Sequence, residues 1–430
     1  MATHTFFHSV RLDANKCVGC TNCIKRCPTG AIRVRRGKAH ILSERCIDCG
    51  ECILICPSHA KYAQTYPLRE MQGYAYTVAL PPPELYGQFR NLEDADRVLS
   101  GLLELSFDAV FEVAAGAEFV AERLRLYVEE HSDKKPLISS ACPAIVRLIR
   151  VRFPNLIDHV VQLKPPMEVA AKLARQKIME QTGLSAQEIG VFYISPCTAK
   201  ISAIKQPICE AHSAIDGVFA MEDIYPLLLK KMEHAEVVEH LQHAGRIGLS
   251  YAISGGEAAS LLHDKVLAAD GIENCIALLE EIEDDKLQDI DFVELRSCAA
   301  GCVGGPLTVE NPYVAKSRLE SMRKYVQISL NEQKPEALTP DMLWSKPLQP
   351  VDVLKLDKNI ETALQKMQKL KEIEASLAGL DCGTCGAPSC HDLAEDIVRG
   401  RAAIEDCVFS GKGENGFIPI PIPFRTSENK

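Results

Sequence analysis

Eight cysteines within the first 57 residues repeat one spacing twice: Cys17-x2-Cys20-x2-Cys23-x3-Cys27-Pro28 and Cys46-x2-Cys49-x2-Cys52-x3-Cys56-Pro57. No other feature limits the fold of this chain as severely. In such a doubled run three thiolates of each copy hold one 4Fe-4S cube and the fourth crosses to the other. Cys17, Cys20, Cys23 and Cys56 therefore form one set, and Cys46, Cys49, Cys52 and Cys27 the second. Zinc is the competing occupant, but two full copies with a trailing proline argue against it. Paired cubes suit electron transfer, not group chemistry.

Sixteen of the 18 cysteines fall into groups with cluster-ligand spacing. The total is too low per residue for a disulfide scaffold and points to a reducing compartment. Cys209 and Cys275 are left over and read as small buried hydrophobes. With 47% apolar and 25% charged residues over 430 positions, the chain can bury a sizeable core spread over several domains. A net charge of -10 with no Lys/Arg-rich block excludes nucleic acid and anionic membrane surfaces as natural partners. The N-terminus lacks a sustained apolar run and no membrane-length apolar segment occurs, so a cytoplasmic protein is expected.

From about Gly73 apolar strands alternate with amphipathic helices, as in an α/β domain. Strands are predicted at YTVAL (76–80), FDAVFEVA (107–114), PLISSACP (136–143), GVFYISPC (190–197) and IGLSYAISGG (247–256), with helices after the second and third and from Met167 to Thr182. Within ELRSCAAGCVGGP (294–306), Cys298 and Cys302 stand four residues apart, the spacing of one helical turn. Cys142, Cys197 and the Cys298/Cys302 pair lie at or just beyond strand ends, where α/β folds collect their ligands, so that three loops can enclose one 4Fe-4S cluster between sub-sheets. His240 and His243 read as solvated residues of a polar helix. A charged helix follows at 313–333, then a Pro-rich connection from Asn331 to Pro350 with the only tryptophan, Trp344, and a Lys/Glu helix at 357–379. The latter delivers Cys382-x2-Cys385-x4-Cys390-x16-Cys407, a fourth quartet suited to a cube, with zinc again the alternative. The expected units are 1–70, 71–335, 336–375 as linker and helix, 376–412, and a Pro-rich tail at 413–430, surface-bound or disordered.

Residues 1–66 resemble a bacterial two-cluster ferredoxin module. SSACP, SPCTAK and ELRSCAAGCVGG resemble the three signature loops of the iron-only (FeFe) hydrogenase catalytic domain, in the same order and spacing. The resemblance covers roughly 1–330 and implies a two-lobed α/β domain. It implies that Cys142, Cys197, Cys298 and Cys302 hold the cubane of an H-cluster and that Cys302 also bridges to a diiron subcluster carrying CO, CN and an azadithiolate. Lys200 would hydrogen-bond a cyanide, and Pro166, Ser254, Gly255 and Gly256 would line the diiron pocket.

Departures from that pattern are concentrated where protons should pass. Ala141 stands where the family has a proton-relaying cysteine, Ser195 and Arg296 where it has methionines, Ala203 in place of a glutamate, and Leu124 and Tyr127 in place of an acidic pair; Glu118 or Glu122 would offer another route. These changes resemble the sensory branches of the family. The last quartet is similar to a small 4Fe-4S domain of electron-bifurcating and corrinoid-linked redox proteins.

The resemblance thus implies three 4Fe-4S clusters plus an H-cluster, slow or sensory hydrogen and proton chemistry, and a redox or regulatory protein as partner. The alternative is a non-catalytic electron relay or assembly-type protein that keeps only the cubane. Lys200 and the glycines favour the first; Ala141 and Arg296 favour the second. Clusters are expected on both sides of the central domain, with the 357–379 helix as a lever.

Overall fold

The structure is a computed structural model that describes residues 7–92, 94–233, 235–236, 240–329 and 342–409. The expected tail at 413–430 and most of the Pro-rich connection lie outside the described residues. Among the described residues no helix is long and apolar enough to cross a membrane.

The N-terminal unit runs β1 (Val10–Leu12), α1 (Asn22–Lys25), β2 (Ile32–Arg35), β3 (Lys38–Ile41), α2 (Glu51–Leu54) and β4 (Lys61–Ala63). Strand β1 pairs antiparallel with β4, and β2 with β3. Both helices last one turn. Each begins after a residue in the left-handed region, Thr21 and Gly50, and each leads directly into a Cys-Pro. The core is small, with Val10, Ile24, Ile32, Val34 and Ala39 packed around Cys17, Cys23 and Cys52. A unit of this size buries too little to be stable on that core alone, so metal–thiolate bonds would carry much of its folding energy.

The central unit contains β5 (Tyr76–Leu80), α3 (Ala95–Leu103), β6 (Ala109–Val110), α4 (Val113–Glu130), β7 (Leu137–Ile138), α5 (Pro143–Arg152), α6 (Pro166–Thr182), β8 (Ile189–Ser195), α7 (Thr198–Lys205), β9 (Gly217–Ala220), α8 (Met221–Met232), α9 (Arg246–Ser250), α10 (Gly256–Ser260), β10 (Val266–Asp270), α11 (Ile272–Glu283), β11 (Phe292–Arg296) and α12 (Pro312–Met322). Two parallel sheets result, in the orders β6-β5-β8-β9 and β10-β11-β7. Every residue of β8 is buried, as befits a parallel strand covered on both faces. The cysteine loops leave the C-terminal ends of β7 and β11 in one sheet and of β8 in the other, so they converge between the sheets.

Three local expectations are corrected. IGLSYAISGG is helical, in α9 and the turn into α10, because a short buried apolar run carries no period that separates strand from helix. The expected strand at 107–114 is reduced to Ala109–Val110. His240 and His243 belong to no helix; their backbone N–H groups donate to the carboxylates of Asp96 and Glu112, at 2.8 and 2.6 Å.

Beyond the central unit, residues 342–351 lie along it: Leu343 bridges Leu163, and Val351 N donates to Arg150 O at 3.0 Å. Then come α13 (Ile360–Ser376) and α14 (Cys390–Val398). This last unit packs on the N-terminal module, not on the far side of the central domain as expected. Val34 N donates to Gly386 O at 2.8 Å and Arg33 Nε to Asp396 Oδ2 at 2.6 Å. Arg45 forms a bidentate pair with Glu395. All four of those side chains are buried.

Candidate metal centre and its pocket

Cys142 and Cys197 each occupy the N-cap position of a helix, α5 and α7. Ser195, at the end of β8, tightens the second loop by donating its Oγ to Cys197 O at 2.7 Å. The third loop is not the helical turn that its spacing suggests. Ala300 and Gly301 take φ of 62° and 98°, and a Cβ on Gly301 would lie 2.5 Å from Ser254 N. Only glycine fits that left-handed approach, which turns Cys302 back toward Cys298.

The four thiols lie within electrostatic reach of one another: ionised Cys142, Cys197 and Cys302 each push the Cys298 pKa up, after burial, the largest cause. Ser297 Oγ sits 3.6 Å from Cys142 Sγ and 3.7 Å from Cys298 Sγ, joining the first and third loops. Burial raises Cys197 to about 12 and Cys302 to about 11. Such thiols keep their protons until a metal displaces them, and a converging buried quartet fits a cubane.

The N-terminal cysteines sort themselves as the crossing pattern requires. Burial raises Cys23, with Cys20, Cys17 and Cys56 as further negative neighbours; burial raises Cys49, with Cys27, Cys52 and Cys46 beside it. Ala31 N donates to Cys27 Sγ at 3.2 Å and Ala60 N to Cys56 Sγ at 3.3 Å, the same bond in both copies. In the last unit Cys385 feels Cys382 and Cys407, while Cys390 opens α14 behind the N-cap Ser389. Cys209 and Cys275 are buried; Cys275 lies within electrostatic reach of Cys142 and donates its Sγ to Arg296 O at 3.3 Å.

Beside Cys302 lies a cavity of about 30 Å³, lined by Ala141, Pro166, Lys200, Glu84, Tyr251 and Arg296. Lys200 Nζ stands 3.1 Å from Glu84 Oε1. Burial alone would depress the ammonium, but Cys302 and Glu84 outweigh it and hold its pKa well above the lysine norm. Glu84 Oε2 is buried without a partner among the described residues, an orphaned acceptor facing this region. Arg296 pairs with Glu294 and Glu257, each at 2.9 Å. Glu257 accepts from Ser139 Oγ at 2.7 Å, and Ser139 Oγ in turn accepts from Ala141 N at 3.1 Å. Burial raises Glu257 to about 7, with Arg296 opposing and Glu294 adding.

Of the expected lining residues, Pro166 faces the cavity; Ser254 instead backs the third loop, its N donating to Ala300 O at 3.0 Å, while Gly255 and Gly256 lie against Ala268 and Ser250. Leu124 and Tyr127 are packed in an apolar cluster. Glu118 is spent on Gly245 N and Ser329 Oγ, at 2.6 Å each. Sequence reasoning missed Glu84, Glu257 and Glu294. The last was findable, since Glu294 and Arg296 alternate onto one face of β11.

A cysteine quartet converging between two parallel sheets, with a two-cluster module at one flank, defines an iron–sulfur protein of α/β architecture. The family description "Iron only hydrogenase large subunit, C-terminal domain" matches residues 75–264 and 257–306, and the chain belongs to that family. A 4Fe-4S dicluster domain matches 9–57, and a family named for an Fe-S cluster matches 377–409. Iron hydrogenase 1 of Clostridium pasteurianum is 24% identical over 222 residues, 49% of this chain and 38% of that protein. A probable cytosolic Fe-S cluster assembly factor of Drosophila mojavensis is 23% identical over 313 residues, 58% of this chain and 66% of the relative. The chain thus spans well under half of the first relative's length. A structure of HydA(deltaEFG), from work on stepwise FeFe-hydrogenase H-cluster assembly, shares the fold with a TM-score of 0.50 at 16% identity, covering 66% of this chain and 96% of that one.

Proposed function

We propose that this chain is a redox protein in which all four cysteine quartets hold 4Fe-4S clusters and the central one adjoins a site for slow or signalling hydrogen and proton chemistry. The observation that carries this reading is the set of buried charged groups beside Cys302: Lys200 with Glu84, and Arg296 with Glu257 and Glu294. A plain electron relay needs no such set. Cys302 would bridge to a diiron unit and Lys200 would bind its anionic ligands by a charge-assisted hydrogen bond. When bound, that unit supplies the electron-pair chemistry between hydrogen and protons. The chain's own part is to hold a proton near it: Ala141 has no titratable group, whereas Glu257 exchanges one near neutral pH. Slow turnover fits a sensor, whose partner would be a redox or regulatory protein in a reducing cytoplasm.

The relay or assembly-type reading is favoured by the cavity itself. With the Lys200–Glu84 pair closed across it, about 30 Å³ admits roughly one water, and a diiron unit requires that pair to open. Infrared spectroscopy of protein matured with hydrogenase assembly enzymes separates the two readings. CO and CN stretching bands are the expected result; their absence from fully loaded protein would leave the relay in place. Anaerobic iron and sulfide analysis of reconstituted protein is expected to give about 16 irons from the four cubes alone. About eight irons with bound zinc would overturn the cluster assignment.

A further inference from the structure

The N-terminal module has two distinct flanks. One carries the loop of Cys46, Cys49 and Cys52. Asp48 in this loop accepts from Ser9 N, Arg147 Nη1 and Ser202 Oγ, and its carbonyl accepts from Thr198 Oγ1 at 2.5 Å. Gly50, at φ 81°, is so close to Pro306 that a Cβ would collide with the proline ring, and it would lie 3.2 Å from Thr198 Oγ1. Thr198 follows Cys197, and Pro306 closes the Cys302 loop. This flank therefore meets two of the three loops of the central quartet.

The other flank belongs to Cys17, Cys20 and Cys23. The β2–β3 hairpin covers it: Lys38 Nζ donates to Cys17 O at 2.7 Å, and Gly37 packs on Gly19. The C-terminal unit sits on this same hairpin and on the helix that carries Cys23. Arg35 Nη1 donates to Cys385 O at 2.7 Å. Lys25 donates to the carbonyls of Asp381 and Pro388, residues that flank Cys382 and Cys390, and Gly383 lies against Ile24 and Lys25.

From these two flanks, and resting on the reading that each quartet holds a cluster, we infer that the four centres form a single series. The C-terminal centre is its outer end and hands electrons to the Cys17/Cys20/Cys23/Cys56 cluster, which passes them through the Cys46/Cys49/Cys52/Cys27 cluster to the central quartet. One electron leaves a reduced cluster and arrives at its oxidised neighbour; no bond is made or broken and no proton moves. The electron comes from a low-potential one-electron carrier. Cys382 is exposed and Leu380 beside it is 59% exposed, so the outer centre is open to such a carrier.

Electron paramagnetic resonance of the dithionite-reduced full chain tests the order, because neighbouring paramagnetic clusters shorten each other's relaxation. The C-terminal centre's signal is identified as the one that Cys407→Ala removes together with about four irons. In the unmodified chain this signal should need at least about tenfold more microwave power to saturate than in Cys20→Ala, which lacks its proposed neighbour; Cys298→Ala should leave it unchanged. Relaxation that depends on Cys298 and not on Cys20, or a magnetically isolated signal in the unmodified chain, would overturn the series while leaving the clusters standing. An iron content unaltered by Cys407→Ala would instead overturn it through the cluster reading.

Discussion

Glu257→Gln is expected to lower proton-coupled turnover of matured protein by roughly 10²- to 10⁴-fold, the usual contribution of a placed acid–base group. Glutamine keeps the shape and can still bond Ser139 and Arg296, but it cannot exchange a proton. Because burial lifts Glu257 to about 7, the carboxyl is protonated below that pH and ionised above it. Hydrogen uptake, which needs a base, should therefore rise through pH 7, and hydrogen evolution, which needs an acid, should fall. The variant should lose both inflections. Hydrogen–deuterium exchange measured from pH 5 to 9 checks this, and a variant with an unchanged rate and profile would move the proton route elsewhere. The same shift has a sign in stability. The raised pKa favours the folded state fully below the unfolded value of about 4.3, and that contribution is lost as pH climbs toward 7. Glu257→Gln should flatten that part of the stability curve.

Arg33→Ala is expected to cost about 3–5 kcal/mol, because it strands charges already removed from water. Arg33 is 4% exposed and Asp396 2%. Arg33 reaches Asp396 at 2.6 Å and Asp392 at 3.1 Å; without it, Asp396 keeps only Arg35 at 3.2 Å. The C-terminal unit should then release from the N-terminal module, visible as earlier proteolysis between α13 and α14 and as a separate first transition on thermal unfolding. Lys286→Ala, which removes pairs from a half-exposed lysine, is the control and should leave both readouts unchanged. A single transition at the parental temperature in Arg33→Ala would show that the ion pairs do not hold the units together.

What could be read in the sequence followed from how each signal is encoded. Cysteine spacing is local, and it gave the cysteine groupings and the three loops at strand ends. Strand β5 was legible to the residue and β8 to within two positions, since each is an apolar run bounded by proline or glycine. Of the carboxylates around Cys302, only Glu294 was findable, through its alternation with Arg296 on β11. Glu84 and Glu257 come from separate stretches, and a glutamate in a surface helix looks the same in sequence as one buried against Arg296. The docking of the last unit was missed for a related reason. Nothing local sets Asp392, Glu395 and Asp396 on α14 apart from acidic residues that face water, and only the fold brings Arg33 and Arg45 to them. The CxxxC spacing misled in another way: four residues is one helical turn only if Ala300 and Gly301 are helical, and both are left-handed.

The bond between Arg33 and Asp396 closes a span of 363 residues, so the two-cluster module is completed only after the whole central unit has been made. At synthesis rates of about 5–20 residues per second, that interval is roughly 20 to 70 s. Through all of it the β2–β3 hairpin stands without the carboxylates that α14 brings to it. Assembly of this molecule thus has a built-in order in time: the N-terminal clusters can be filled while the chain is still growing, and α14 reaches Arg33 and Arg45 only afterwards.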